Sequence, residues 1–174
     1  SYSGKVFNYN EEMRGLSNEH TQAGVEIIGF PVHQALEEAV ISAKEALDVA
    51  SVRNYKFEFS HARLLQLIFE ELNLPAVKEV ELATYIRDKS ITGLKEFTKE
   101  NPSQYDKVLE QLPFLFGETT AVLTEARQLT DNEAFLTALD SLEVLTSRLA
   151  DNLPETTLDL AQLPAVPYYT GINV

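Results

Sequence analysis

A carboxylate and a carboxamide four residues apart on an otherwise apolar run, Gln22 and Glu26, are the most chemically suggestive pair in this sequence. In extended backbone successive side chains point to opposite faces. The run from Gln22 to Gly29 then puts Gln22, Gly24, Glu26 and Ile28 on one face and Ala23, Val25 and Ile27 on the other. Polar groups withdrawn from water must be paired. A carboxylate beside an amide offers acceptors and a donor to an ammonium group, an imidazole or another small polar ligand. The same alternation also suits the wet outer face of a half-exposed strand, and on its own it leaves both readings open.

Such a strand needs a neighbour. A run beginning Phe7-Asn8-Tyr9-Asn10 precedes it across a polar loop that contains Gly15, which reads as an antiparallel hairpin. The hairpin resembles the second signature motif of histidyl-tRNA synthetases and their non-catalytic relatives, FRYERPQKGRYREFHQ followed by GVExIG. That pattern aligns without a gap on Phe7 to Gly29, with its Phe, Tyr, Gly, Glu and Gln at Phe7, Tyr9, Gly15, Glu19 and Gln22. The departures fall on arginines. Asn8 stands where the synthetase pattern grips the ATP phosphate, Leu16 and Asn18 stand where its loop has further arginines, and Arg14 is the cation that remains in the loop. A carboxamide cannot stand in for a guanidinium on a phosphate, because both the charge and the fork of donors are lost.

A second resemblance closes the chain. The run from Asp159 to Gly171, ending Tyr168-Tyr169-Thr170-Gly171, is similar to the synthetases' histidine-binding segment DLGLVRGLDYYTG. Pro164 occupies the place of the arginine that acts there on the reacting carboxylate and phosphate. Proline supplies neither charge nor a backbone donor. An amino-acid side kept and a nucleotide side lost is the pattern of the regulatory subunits of ATP phosphoribosyltransferase. The resemblance to that family implies a protein that performs no aminoacylation, supports the first enzyme of histidine biosynthesis and mediates its histidine feedback. It also implies histidine as the candidate ligand, at Gln22, Glu26, Tyr168, Tyr169, Thr170 and Gly171. The implied partner is a catalytic phosphoribosyltransferase subunit, with a homo-oligomer expected for the full-length protein.

Composition sets bounds that agree. A net charge of −13, with 14 Lys and Arg in all, argues against a nucleic-acid partner, since phosphate binding needs clustered cations. The absence of Cys removes disulfides, thiolate catalysis and Cys-based zinc sites. No apolar run reaches the ~18 residues of a membrane span, and the first residues lack a signal peptide's basic and apolar regions. A cytoplasmic protein is the expectation.

The elements that position these residues follow from periodicity. Leu36, Val40, Ala43 and Leu47 recur at helical spacing with Glu37, Glu38, Lys44 and Glu45 between them, so Val32 to Val49 reads as an amphipathic helix. Tyr55, Phe57 and Phe59 alternate with Lys56 and Glu58, a half-buried strand over Asn54 to Ser60, after which His61 opens a new helix. From there to about Asp151 the pattern stays helical. Its clearest stripe is Phe135, Leu139, Leu142, Leu145 and Leu149. Asn101 with Pro102, and Thr130 with Glu133, read as helix starts. Leu-Pro recurs at residues 74, 112 and 153, better explained by proline at helix ends than by a repeat.

The expected fold is therefore α+β: an antiparallel sheet of the class II aminoacyl-tRNA synthetase type over 1–60 and 156–174, with 61–155 as a helical insertion. The chain reads as the middle portion of a longer protein, with the C-terminal strand expected beside the Gln22 strand and Tyr168 or Tyr169 near Glu26. The insertion carries Glu70, Glu71, Glu79, Glu81, Glu110, Glu118 and Glu125, a surface that repels RNA. Other chemistry is thin. His20, His33 and His61 have no metal-ligand spacing, and the seven glycines form no phosphate loop, so no metal, cofactor or catalytic group is assigned. Two alternatives stay open beside the regulatory reading: a fragment of a histidyl-tRNA synthetase, and a helical interaction module without a ligand.

Overall fold

The computed structural model describes residues 1–7, 18–153, 155–164 and 169–174. The chain divides into two compact units, Ser1–Ser51 and Val52–Val174.

In the first unit β1 (Tyr2–Phe7) pairs antiparallel with β2 (Glu19–Gly24), in a register that sets Tyr2 opposite Gly24 and Phe7 opposite Glu19. Helix α1 (Val32–Val49) follows, with the boundaries its apolar spacing predicts. Proline at its N-cap starts it without a side-chain cap, since the first-turn donors have no intrahelical partner and the proline ring suits that position. Its predicted apolar face is only partly realised. Val40 is the one residue of the helix that is buried, Leu36 and Leu47 are half-buried, and Ala43 is exposed.

The second unit opens with β3 (Phe57–His61), which runs into α2 (Ala62–Leu72). Helices α3 (Ala76–Arg87), α4 (Ile91–Glu100) and α5 (Asp106–Gln111) follow, then β4 (Phe116–Glu118), α6 (Thr119–Arg127), α7 (Glu133–Leu149), β5 (Thr156–Asp159) and β6 (Ile172–Asn173). Among the described residues the sheet order is β4-β5-β3-β6. The β3 and β5 strands are parallel, with Phe57 opposite Thr156 and Phe59 opposite Leu158. Parallel neighbours require a crossover, and here the helical run supplies it. Phe59 and Leu158 are fully buried, as are Leu139 and Leu142 of the predicted α7 stripe.

Several expectations are corrected. Among the described residues the strands fall into two hydrogen-bonded sheets rather than the one expected: β1 and β2 pair with each other, while β6 pairs with β3, Ser60 opposite Asn173 and His61 opposite Ile172. Two short strands, β4 and β5, were invisible to periodicity, and β4 interrupts the stretch expected to be wholly helical. Asn101 ends α4 rather than starting a helix, its Nδ2 donating to the Phe97 carbonyl at 3.0 Å. Asn132, not Thr130, caps α7, accepting from Phe135 N–H at 3.0 Å, while the Thr130 hydroxyl accepts from Asn132 N–H. An amide one residue before the first helical position reaches the third turn donor better than a hydroxyl two residues further back.

Candidate functional site

Gln22 lies opposite Gly4 in the hairpin, and its Nε2 donates to the Tyr2 hydroxyl at 3.1 Å. Tyr2 has room for its ring because Gly24 opposite has no side chain; a Cβ there would come within 2.6 Å of the ring. Tyr2, Gln22 and Gly24 thus share one face, and the phenol already engages the amide that the alternation offered to a ligand. The β2 strand stops at Gly24, short of the expected Gly29, so Glu26 lies beyond it and its side chain is exposed. In the same unit Val25, Ile27, Phe30 and Ala35 line a cleft of about 510 Å³ together with Gln34 and Glu38 of α1. Sequence reasoning placed Glu38 only on the polar side of the helix; helical periodicity gives no sign that a preceding loop folds over it.

The second segment belongs to the other unit. Asp159 ends β5, and its carboxylate accepts from Ala161 N–H at 3.0 Å through Oδ1 and meets Lys89 Nζ at 2.9 Å through Oδ2. Residues 162–164 and 169–174 bound a cleft of about 490 Å³ that takes in Pro164, Tyr169, Thr170 and Gly171. Among the described residues the polar side chains that line it are neutral: the Tyr169 and Thr170 hydroxyls and the Gln162 and Asn173 amides. No charged side chain is among the described residues that line it. These side chains can hydrogen-bond a small polar molecule, and among the described residues that line the cleft none offers a cation to a phosphate. Tyr168, and Asn8, Tyr9, Arg14, Gly15 and Leu16 of the hairpin loop, lie outside the described residues.

The segment is held by groups that the sequence did not single out. Gln66 of α2 donates through Nε2 to the Tyr169 carbonyl at 2.7 Å, and Ala62 N–H donates to the Gly171 carbonyl at 2.9 Å. The signal was absent because a side-chain contact spanning 103 residues leaves no periodicity.

His61 is a cap rather than a ligand: its Nδ1 accepts from Arg63 N–H at 3.2 Å at the start of α2, and burial pushes its pKa below the ordinary value of 6.5. An accepting Nδ1 and a depressed pKa agree, since both require the neutral ring. His20 and His33 are exposed. Among the described residues no three or more acidic, His or Cys side chains are arranged to hold a metal ion, and no helix is long and apolar enough to cross a membrane.

An α+β hairpin-and-sheet chain with a neutral cleft at its Tyr-Thr-Gly segment has a defined place among known proteins. The family model for histidyl-tRNA synthetase matches residues 1–174, and the chain belongs to that family, whose fold is of the class II synthetase type. Within it, the chain is 97% identical over 172 residues to an ATP phosphoribosyltransferase regulatory subunit of Streptococcus thermophilus, covering 99% of this chain and 53% of that protein. A protein of the same name from Streptococcus gordonii is 53% identical over 173 residues, with the same coverage of each. A crystal structure described as an ATP phosphoribosyltransferase regulatory subunit/histidyl-tRNA synthetase from Bacillus halodurans superposes with a TM-score of 0.74 at 29% identity, over 98% of this chain and 45% of that one. The chain spans about half the length of the curated relatives it matches.

Proposed function

We propose that this chain is part of a non-catalytic regulatory subunit of an ATP phosphoribosyltransferase, a cytoplasmic protein that works with a catalytic subunit and confers histidine feedback on the first step of histidine biosynthesis. The observation that carries the reading is that the described side chains lining the cleft at Pro164 and Tyr169 to Gly171 are uncharged. Forming an aminoacyl-adenylate needs positive charge on the α-phosphate as the transition state develops. The family's arginine position in this segment holds a proline instead. The names of the relatives from Streptococcus thermophilus and Streptococcus gordonii support the same reading.

In this reading histidine is the ligand. By resemblance the ligand residues are Gln22, Glu26, Tyr168, Tyr169, Thr170 and Gly171; the hydroxyls of Tyr169 and Thr170 offer neutral hydrogen bonds, and a carboxylate such as Glu26 can pair an ammonium or imidazole. Glu26 is exposed in this chain, so its carboxylate reaches full effect only where further protein surface excludes water from it. The full-length protein assembles as a homo-oligomer and binds the catalytic subunit, without nucleic acid.

Histidine-dependent ATP–pyrophosphate exchange by the full-length protein tests the reading. It is expected to stay at background; turnover like that of an ordinary synthetase would return the chain to the enzymes of its family.

A further inference from the structure

The 169–171 segment meets α2 at two points one helical turn apart. Ala62 N–H, a first-turn donor with no partner inside its own helix, bonds the Gly171 carbonyl at 2.9 Å. One turn further on, Gln66 Nε2 bonds the Tyr169 carbonyl at 2.7 Å. Residues four apart on a helix lie on one face, so the two donors meet the carbonyls of Tyr169 and Gly171 from the same side of α2. The first contact is made by backbone and depends on no side chain. The second depends on one side chain.

Gln66 lines one cleft and bonds the backbone of a residue that lines another. The cleft it lines with Ala62, Leu65 and Phe69, of about 430 Å³, shares Leu163 and Pro164 with the cleft bounded by Tyr169 and Thr170. Downstream of Gly171 the chain is fixed by β6 against β3. Upstream, the hydrogen bond from Gln66 joins the Tyr169 backbone to α2. Asp159, which starts the run, is tied separately by Lys89.

We infer that Gln66 is a positioning residue: its amide fixes the Tyr169 carbonyl and thereby sets the Tyr169 and Thr170 side chains along the cleft. It touches no ligand itself. The consequence for ligand affinity rests on the histidine reading given above, whereas the ordering of the segment does not.

The test uses the full-length protein with Gln66→Ala and Gln66→Glu. The glutamate variant keeps size and shape but turns an acceptor toward a carbonyl, so it breaks the contact without opening a cavity. Hydrogen–deuterium exchange of the peptide covering 169–174 is read beside that of α7, with thermal unfolding as a control and calorimetric titration of histidine as the functional arm. Both variants are expected to exchange faster by about three- to tenfold over 169–174, with α7 unchanged, and to weaken histidine binding by a similar factor. Unaltered exchange over 169–174 overturns the inference. So does a change spread equally over α7, which would make Gln66 a general stability residue. If the unsubstituted protein binds no histidine, the ligand reading falls, and the exchange arm alone then decides whether Gln66 orders the segment.

Discussion

Lys89 reaches Asp159 across the second unit, Nζ to Oδ2 at 2.9 Å, with the ammonium 4.1 Å from the centre of the Phe116 ring. It does so from backbone that disfavours it. Lys89 has φ of 48°, in the left-handed region that costs a non-glycine residue about 1 kcal/mol. The ion pair and the aromatic contact of the head group act against that cost. Asp159 is only 16% exposed, so the pair is screened less than a surface pair, and the aromatic face adds to it.

The consequence is measurable by urea unfolding. Lys89→Gly relieves the backbone but removes the ion pair, and is expected to be less stable than the natural sequence by about 0.5–1 kcal/mol. A more stable glycine variant would show that the bridge contributes less than the strain.

Gly93 reverses the usual rule for helices. Replacing an interior glycine by alanine normally stabilises a helix by about 1 kcal/mol. In α4, however, a Cβ on Gly93 would lie 2.6 Å from the Tyr85 ring, whose hydroxyl bonds Glu81 at 3.0 Å. Gly93→Ala is therefore expected to lower stability by about 1 kcal/mol or more as the ring is displaced. A rise in the unfolding midpoint would contradict this packing.

His61 makes the second unit sensitive to mild acid. Its pKa is lowered by burial in the folded chain, so the unfolded state takes up its proton first. The contribution is complete above about pH 6.5 and declines as pH falls from there toward the folded pKa. His61→Asn keeps an acceptor for Arg63 N–H and removes the proton. The difference in stability between the two proteins should change in the variant's favour between pH 6.5 and 5, and a difference independent of pH would rule out His61 as the cause.

How much of this was legible in the sequence depends on how each element is specified. Helices α1 and α7 were readable because their own residues carry the period: Leu36 and Val40 in one, Leu139 and Leu142 in the other. The hairpin was readable from its motif. The pairing of β3 with β5 was not, since Phe59 meets Leu158 across 99 positions and neither three-residue β4 nor four-residue β5 is long enough to show alternation. The surroundings of Gln22 and Glu26 were legible only in part for the same reason. Alternation placed Gln22 and Gly24 on one face, but could not show that Tyr2 fills it, because Tyr2 meets Gly24 only through the hairpin register. Nor could it show that β2 ends before Glu26.

Glu26 tests the ligand reading directly. A hydrogen bond to a charged group contributes about 1.5–3 kcal/mol, so Glu26→Gln in the full-length protein should weaken calorimetric histidine binding by roughly ten- to a hundredfold. Unchanged affinity in both Glu26→Gln and Gln22→Ala would place the ligand elsewhere.

The most direct measurement of the central claim is phosphoribosyl transfer by a purified short catalytic subunit, assayed with and without the full-length protein and titrated with histidine. The regulatory reading predicts turnover that rises on addition of the full-length protein and histidine inhibition that acts on the assembled complex. A catalytic subunit whose turnover and histidine response are the same in its presence and absence would contradict it.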